Sequence, residues 1–302
     1  MKTWSMPVSG AKSGSIPCNL CGGLIFKPAL VCEGFNFVRC VQCGLVQRNP
    51  QPVKEEIIER YSKTFGKDYL GYELENEAAF LKLQQLALQD AGFDKIEKKA
   101  FLRTKDSACA DNAGNADSVG IAPSVLDIGC ATGALLASLR DCGWRVTGVE
   151  ISPGAEYARK ERGLDVRNIP LEEIKFPNES FNVILASHLV EHLNDPRSFF
   201  TEVHRILKKD GFIFITTPNI SGFQALMFGG HWRSAIFDHL YLFSKRTLLK
   251  MLKTCGFKTE GVYTWGGLAA GTAPASIKRT ADFLAKRLGF GDVMIIRAVR
   301  IN

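Results

Sequence analysis

No apolar run in this 302-residue chain approaches the ~20 residues a membrane-spanning helix needs, which excludes a helical membrane protein. The opening Met1-Lys-Thr-Trp-Ser-Met-Pro7 carries no apolar stretch of the secretory kind. Internal repeats are absent. A disulfide framework is missing too. The nine cysteines are an odd number and four of them sit in two Cys-x-x-Cys pairs, which suits a reducing compartment. The expectation is a soluble, cytoplasmic protein with room for one α/β domain and a small module.

Acidic residues are scarce toward the C-terminus. From His231 to Asn302 twelve Lys and Arg face four Asp and Glu, although the whole chain carries only +7. Such a bias favours an anionic small molecule, phosphorylated or nucleotide-linked, or a membrane surface as partner. The plainer explanation is a solvated helix face, because Lys245, Arg246, Lys250 and Lys253 fall at helical surface spacing.

What is present near the N-terminus is a set of thiols. Cys18-Asn-Leu-Cys21 and Cys40-Val-Gln-Cys43 stand eighteen residues apart, and each pair is followed by a glycine, Gly22 or Gly44. That spacing can supply four sulfurs to a tetrahedral zinc ion in a closed, structural site, with accidental spacing or a redox pair as the alternative. A module this small needs such a metal to fold. Cys32, between the pairs, reads as a spare thiol.

The densest signal is Val125-Leu-Asp-Ile-Gly-Cys-Ala-Thr-Gly133, with Glu150 closing the next apolar run. A strand passing through a glycine turn into a helix offers backbone N–H groups to a ligand. A dinucleotide fingerprint wants glycine where Ala131 stands, for close approach of a pyrophosphate. Asp127 would repel that pyrophosphate but suits an ammonium group, and Glu150 can accept from a ribose diol. A ligand with a cationic amino acid end and a ribose satisfies both acids, as S-adenosylmethionine does.

At these residues the chain resembles the class I S-adenosylmethionine-dependent methyltransferases. The likeness continues through Gly148-Val-Glu-Ile-Ser152, Phe176-Pro-Asn-Glu-Ser-Phe-Asn-Val-Ile184, Leu189-Val-Glu-His-Leu-Asn-Asp-Pro196, Arg205-Ile-Leu-Lys-Lys-Asp-Gly211 and Phe214-Ile-Thr-Thr-Pro-Asn219. It implies that Asp127, Gly129, Cys130, Ala131, Thr132, Gly133, Glu150, Ile151, Leu171 and Ser187 surround the cofactor. Two positions depart from the pattern. Pro170 replaces the acid that often pairs with adenine, so backbone near Leu171 takes that role. Asn182 follows Phe181 where aspartate is usual. The cysteine segment is similar to the zinc-binding part of methyltransferases of sugar and surface-polysaccharide pathways. The core is also similar to ubiquinone O-methyltransferases.

Residues 1–50 therefore read as a zinc-ribbon-like module, 51–120 as a helical cap and linker, and 121–302 as the methyltransferase domain. In the cap, Tyr61, Phe65, Tyr69 and Tyr72 read as the packed face of a helix, with lining of the site as the rival role. Residues 103–119 read as a flexible loop. The core alternates. Strands are predicted at 124–129, 146–151, 181–186, 212–216, 259–264 and 293–299. Helices are predicted at 133–142, 153–162, 196–208 and 245–255. Asp195 and Ser244 serve as N-caps, and Gly211 stops the third helix. The alternation predicts an α/β fold with a doubly wound, mostly parallel sheet. The resemblance implies seven strands, the last antiparallel.

Methyl transfer to a hydroxyl or carbon acid needs a positioned acceptor and a proton acceptor. His188 and His192 follow the fourth strand, and His239 lies in the insertion Gly230-His-Trp-Arg-Ser-Ala-Ile-Phe-Asp-His-Leu-Tyr-Leu-Phe243. Trp232, Arg233 and Tyr241 of that insertion are candidates to shape the acceptor pocket, Tyr241 also for catalysis. His204 reads as a solvated residue on a helix flank. The acceptor expected first is a nucleotide-linked sugar or surface-glycan precursor, with a quinone or other hydroxyaromatic second. A zinc-ribbon nucleic-acid binder is a rival from another class, disfavoured because Lys27 and Arg39 stand nearly alone among the cysteines. A cofactor-free scaffold is a third.

Overall fold

The structure, a computed structural model, describes residues 16–64, 66–110, 122–266, 280 and 285–301. Three short strands come first: β1 (Phe26–Cys32), β2 (Phe35–Cys40) and β3 (Val46–Arg48). The cap follows as α1 (Lys54–Glu59), a π-helical turn (Arg60–Thr64), α2 (Gly66–Asp90) and α3 (Phe93–Ala110). Strands and helices then alternate: β4 (Ser124–Ile128), α4 (Ala134–Asp141), β5 (Arg145–Val149), α5 (Gly154–Arg162), β6 (Val166–Arg167), α6 (Leu171–Ile174), β7 (Phe181–Ser187), α7 (Pro196–Ile206) and β8 (Leu207–Pro218). The chain closes with α8 (Phe223–Phe228), a 3-10 turn (Gly229–His231), β9 (Tyr241–Leu242), α9 (Lys245–Thr254), β10 (Phe257–Trp265) and β11 (Val293–Arg300).

The larger sheet has seven strands in the order β10-β11-β8-β7-β4-β5-β6. Strands β4 to β8 pair in parallel, whereas β11 runs antiparallel to both of its neighbours. The strand order reverses at β4 and β7, so their carboxyl ends splay apart into the crevice where such sheets hold ligands. The doubly wound, mostly parallel sheet expected from the sequence is therefore present.

The helices flanking it are set by local chemistry. The Asp195 carboxylate accepts from the Ser198 N–H at 3.0 Å with Pro196 in the first turn, the N-cap expected for α7. Phe199, Phe200, Val203 and Ile206 then share one buried face, each contributing about 1.5–3 kcal/mol. Ser244 caps α9 by accepting from the Thr247 N–H, while the Thr247 hydroxyl accepts from the Ser244 N–H.

Two boundaries differ from expectation. Helix α7 ends at Ile206 rather than running to Lys208, and Gly211 lies within β8 instead of stopping the helix. Leu207 is fully buried and pairs with Phe181 of β7, and that strand pairing outweighs helix propensity. Helix α3 continues to Ala110 through a segment expected to be loop. Its Arg, Lys and Ala residues are good helix formers. The rest of that expected loop, and Phe65, lie outside the described residues.

A four-stranded sheet, β1-β2-β3-β9, joins the N-terminal strands to the insertion. Val46 and Gln47 pair with Leu242 and Tyr241. Cys18, Leu20 and Leu45 pack in one core with Phe199, Tyr241 and Phe243. No described helix is long and apolar enough to cross a membrane.

Candidate functional site

The glycine loop leaves β4 at Gly129, whose φ of +78° favours glycine. Gly133, at +75°, is also sterically required: a Cβ there would lie 2.6 Å from Leu164 and 3.0 Å from Ala158. Between them Ala131 adopts φ +48°, unusual for a residue with a side chain. Glu150 explains how. Its Oε2 accepts from the Ala131 N–H at 2.9 Å and its Oε1 from the Ser152 N–H at 2.8 Å. Each oxygen keeps a further lone pair for a ligand hydroxyl.

Asp127 is 3% exposed and sits beneath the loop. Burial, joined by the charge of Glu150, pushes its carboxyl up to about 7. A cationic ligand group nearby would reverse that shift. The arrangement therefore fits a ligand with an ammonium end and a diol.

A cavity of about 2000 Å³ opens over the sheet's carboxyl edge. Of the sequence-predicted residues it is lined by Gly129, Ala131, Glu150, Ile151, Leu171 and Ser187. Pro170 also lines it, beside the backbone expected to face adenine. Cys130, Gly133 and Asp127 are not among the residues that line it, and Thr132 serves another purpose. Its hydroxyl donates to Glu77 at 2.7 Å, and Glu77 in turn pairs with Arg162 at 2.5 Å, tying α2 to the loop. This contact brings the cap over the cavity. Tyr61, Tyr69 and Tyr72 consequently line it, the role held second at the sequence level, rather than a packed helix face.

His188, His192 and His239 all reach the same cavity. His188 has φ +51°, a strained turn directly after β7. Its half-exposed ring sets Nδ1 3.3 Å from Oε1 of Glu191. Glu191 is fully buried, and its Oε2 accepts from the Thr217 hydroxyl at 2.9 Å. Burial opposes its charge, but the rings of His188, His192 and His239 hold its carboxyl down to about 2. From the sequence Glu191 figured only as the neighbour of His192 and was given no role in the site; its signal was an acid inside the apolar Leu189-Val190-Glu191 stretch. His239 is 6% exposed, with Nδ1 2.7 Å from the Ser234 carbonyl oxygen. Burial, with the neighbouring His192, lowers its pKa to about 4. The His192 and His239 rings meet edge to face at 4.6 Å.

Three further expectations are corrected. Trp232 does not line the cavity: it is 2% exposed and its indole N–H donates to Asp292. Tyr241 is fully buried in β9, stacked on Phe243, with its hydroxyl donating to the Asn194 carbonyl at 2.9 Å. Aromatic bulk in both cases is used by the core that joins the insertion to the N-terminal strands. His204 is not simply solvated, since Nε2 lies 2.9 Å from the Ile301 carbonyl oxygen. Arg233 does reach the cavity, but its guanidinium is already paired with the buried Asp292 at 2.5 Å. Arg60 of the cavity wall pairs likewise with Asp238 at 2.6 Å.

The four sulfurs of Cys18, Cys21, Cys40 and Cys43 lie within 4.8 Å of one another. Cys18 and Cys43 are 3.4 Å apart and Cys21 and Cys40 3.5 Å, close to the edge of a tetrahedral thiolate cage. Gly22 and Gly44 take φ of +73° and +84°, and their N–H groups donate to the Cys18 and Cys40 carbonyls. These are two matching knuckles, as expected. Cys32 is outside the cluster.

A family model described as a methyltransferase domain matches residues 88–261, more than half of the chain. The chain belongs to the methyltransferase domain family. The class I resemblance drawn from the glycine loop and its following motifs is thereby borne out. This methyltransferase is 31% identical over 128 residues to the ubiquinone biosynthesis O-methyltransferase of Rhodopseudomonas palustris, covering 40% of this chain and 49% of that protein. Against the protein of the same name from a Bradyrhizobium strain it is 32% identical over 137 residues, 43% of this chain and 54% of the relative. The chain thus spans about half the length of the curated relatives it matches. A solved methyltransferase from Archaeoglobus fulgidus, described as SAM dependent, aligns at 21% identity with a TM-score of 0.45, covering 59% of this chain and 86% of that one.

Proposed function

We propose that this methyltransferase moves a methyl group from S-adenosylmethionine to a hydroxyl of a small acceptor, with His188 as the proton acceptor. The observation that carries the reading is that Glu150 and His188 face one cavity. Glu150 is preset by two backbone N–H groups for a ribose diol, and Asp127 supplies a buried negative charge for the amino acid end. The donor supplies an electrophilic methyl on a sulfonium, whose leaving group is neutral. What the chain must add is position and a base. His188 is the best placed, being half exposed, next to the loop, and 3.3 Å from a buried carboxylate. His239 is less suited, because burial keeps its ring a weak base.

Ring-bearing walls, including Tyr61, Tyr69, Tyr72 and Phe237, favour an acceptor with a flat or apolar body, such as a hydroxyaromatic. The lining cations Arg60 and Arg233 are paired, which weakens the case for a freely anionic acceptor. A nucleotide-linked sugar remains the second reading, favoured by the cavity's size, which exceeds that of an ordinary small-ligand pocket. The four-cysteine cluster is read as a structural zinc site, supported by its sulfur spacing and the burial of Cys18, Cys40 and Cys43.

The test is transfer of a labelled methyl to a panel of catechols, hydroxyquinones and nucleotide sugars. Label appearing in hydroxyaromatics supports the first reading, and label in sugars the second. Calorimetry showing no adenosylmethionine binding would sink both.

A further inference from the structure

We infer that Glu191, His192 and His239 form a second metal site, one for a divalent first-row ion at the floor of the cavity. A carboxylate oxygen of Glu191 and one ring nitrogen each from His192 and His239 lie within 4.8 Å of one another. Metal bonds of about 2.1 Å ask for three donors roughly 3.0–3.6 Å from one another, so a pair at the outer limit of 4.8 Å closes by about an ångström when the ion binds. His192 is the one ligand of the three that is only partly buried.

An orphaned atom points to the ligand. Glu191 is fully buried, and while Oε2 is satisfied by Thr217, Oε1 makes no hydrogen bond. The His188 ring stands 3.3 Å from it without completing one. A buried carboxylate oxygen left this way is costly unless a cation takes it. Oε1 has two lone pairs, so an ion and the His188 ring can share it.

The histidines are prepared in the same sense. Nδ1 of His239 faces the Ser234 carbonyl at 2.7 Å. Nδ1 of His192 faces two oxygens, the Asp238 carbonyl at 3.0 Å and the Tyr61 hydroxyl at 2.8 Å. A carbonyl accepts only, so His239 donates from Nδ1 and leaves Nε2 as a lone-pair donor, and His192 does the same when its Nδ1 donates to the Asp238 carbonyl. Backbone carbonyls fixing the far nitrogen are the usual outer shell of metal-bound histidine. Two imidazoles and one carboxylate select a transition ion such as zinc, iron(II), manganese or cobalt over magnesium or calcium. Three protein ligands leave positions open, and His192 and His239 line the cavity, so an acceptor oxygen can complete the shell. That last role rests on the methyl-transfer reading; the ion's binding does not.

The experiment reads binding alone. Protein whose cysteine cluster is loaded with zinc is titrated with cobalt(II), followed by absorbance and by elemental analysis. The expected result is one cobalt per chain with weak ligand-field bands and no thiolate charge-transfer band. Glu191→Gln, which retains an oxygen for Thr217, and His192→Ala, at the partly exposed ligand, should each weaken that equivalent by about 10-fold or more. The site is refuted if wild type takes up no cobalt outside the cysteine cluster. It is equally refuted if both variants, shown folded by circular dichroism, keep the wild-type affinity.

Discussion

The carboxylate of Glu150 holds the backbone N–H of Ala131 at 2.9 Å, so the second acid of the site shapes the loop that the first acid underlies. The acid expected to contact only the ligand is also what stabilises Ala131 at positive φ. Glu150→Ala should remove both that hydrogen bond and the diol contact proposed for it. Each hydrogen bond to a charged group contributes about 1.5–3 kcal/mol. Adenosylmethionine affinity is expected to fall by a factor on the order of 100, measured by calorimetry. Wild-type affinity in the variant would remove Glu150 from the donor site.

Asp127 makes stability depend on pH. Its folded carboxyl titrates at about 7, above the ordinary value of 3.8. The folded state therefore holds a proton that the unfolded chain releases between those values. Stability from this group is full below about pH 4 and is lost as pH rises through 7. Asp127→Asn should flatten the fall in Tm over that window in ligand-free protein. Adenosylmethionine should bind the wild type more tightly as pH rises through the same range. A Tm profile identical in both proteins would contradict the assignment.

His188→Ala should lower kcat by about 100- to 10,000-fold while leaving donor affinity near wild type. Wild-type turnover in the variant would move the base to another residue.

Tyr241→Phe tests the corrected role of that ring. It keeps the stacking on Phe243 but leaves the Asn194 carbonyl without its donor. Thermal or urea unfolding should show a loss of about 1–3 kcal/mol with turnover of the folded protein unchanged. A turnover defect without a stability loss would return Tyr241 to the chemistry.

Removing the zinc proposed for the cysteine cluster should loosen more than the cysteine segment itself. Asn19, between two of those cysteines, donates to Asp195 at 2.8 Å and accepts from the Arg197 N–H at 3.0 Å, at the start of α7. Chelation is expected to increase hydrogen exchange in both segments. Exchange confined to the cysteine segment would show the two to be uncoupled.

Local chemistry made much of this protein readable from its residues. The glycine spacing, the two acids at strand ends, the Asp195 and Ser244 caps and the two thiol knuckles each act over a few neighbouring positions. Their geometry follows from residue type and spacing, so the sheet, the glycine loop with its two acids and the cysteine cluster could be anticipated. Folding decided what long-range packing decides. Trp232 and Tyr241 carry polar tips suited to a pocket, yet the joining of β9 to β3 buried them. Tyr61, Tyr69 and Tyr72 look like a helix face, yet the Thr132–Glu77–Arg162 link carries the cap over the cavity. Glu191 stands next to His192 in sequence, but what it faces comes from His239, 48 positions further on, and from Thr217 on the neighbouring strand. Backbone turns answer to their own residues; the partners of a buried side chain are chosen by the whole chain.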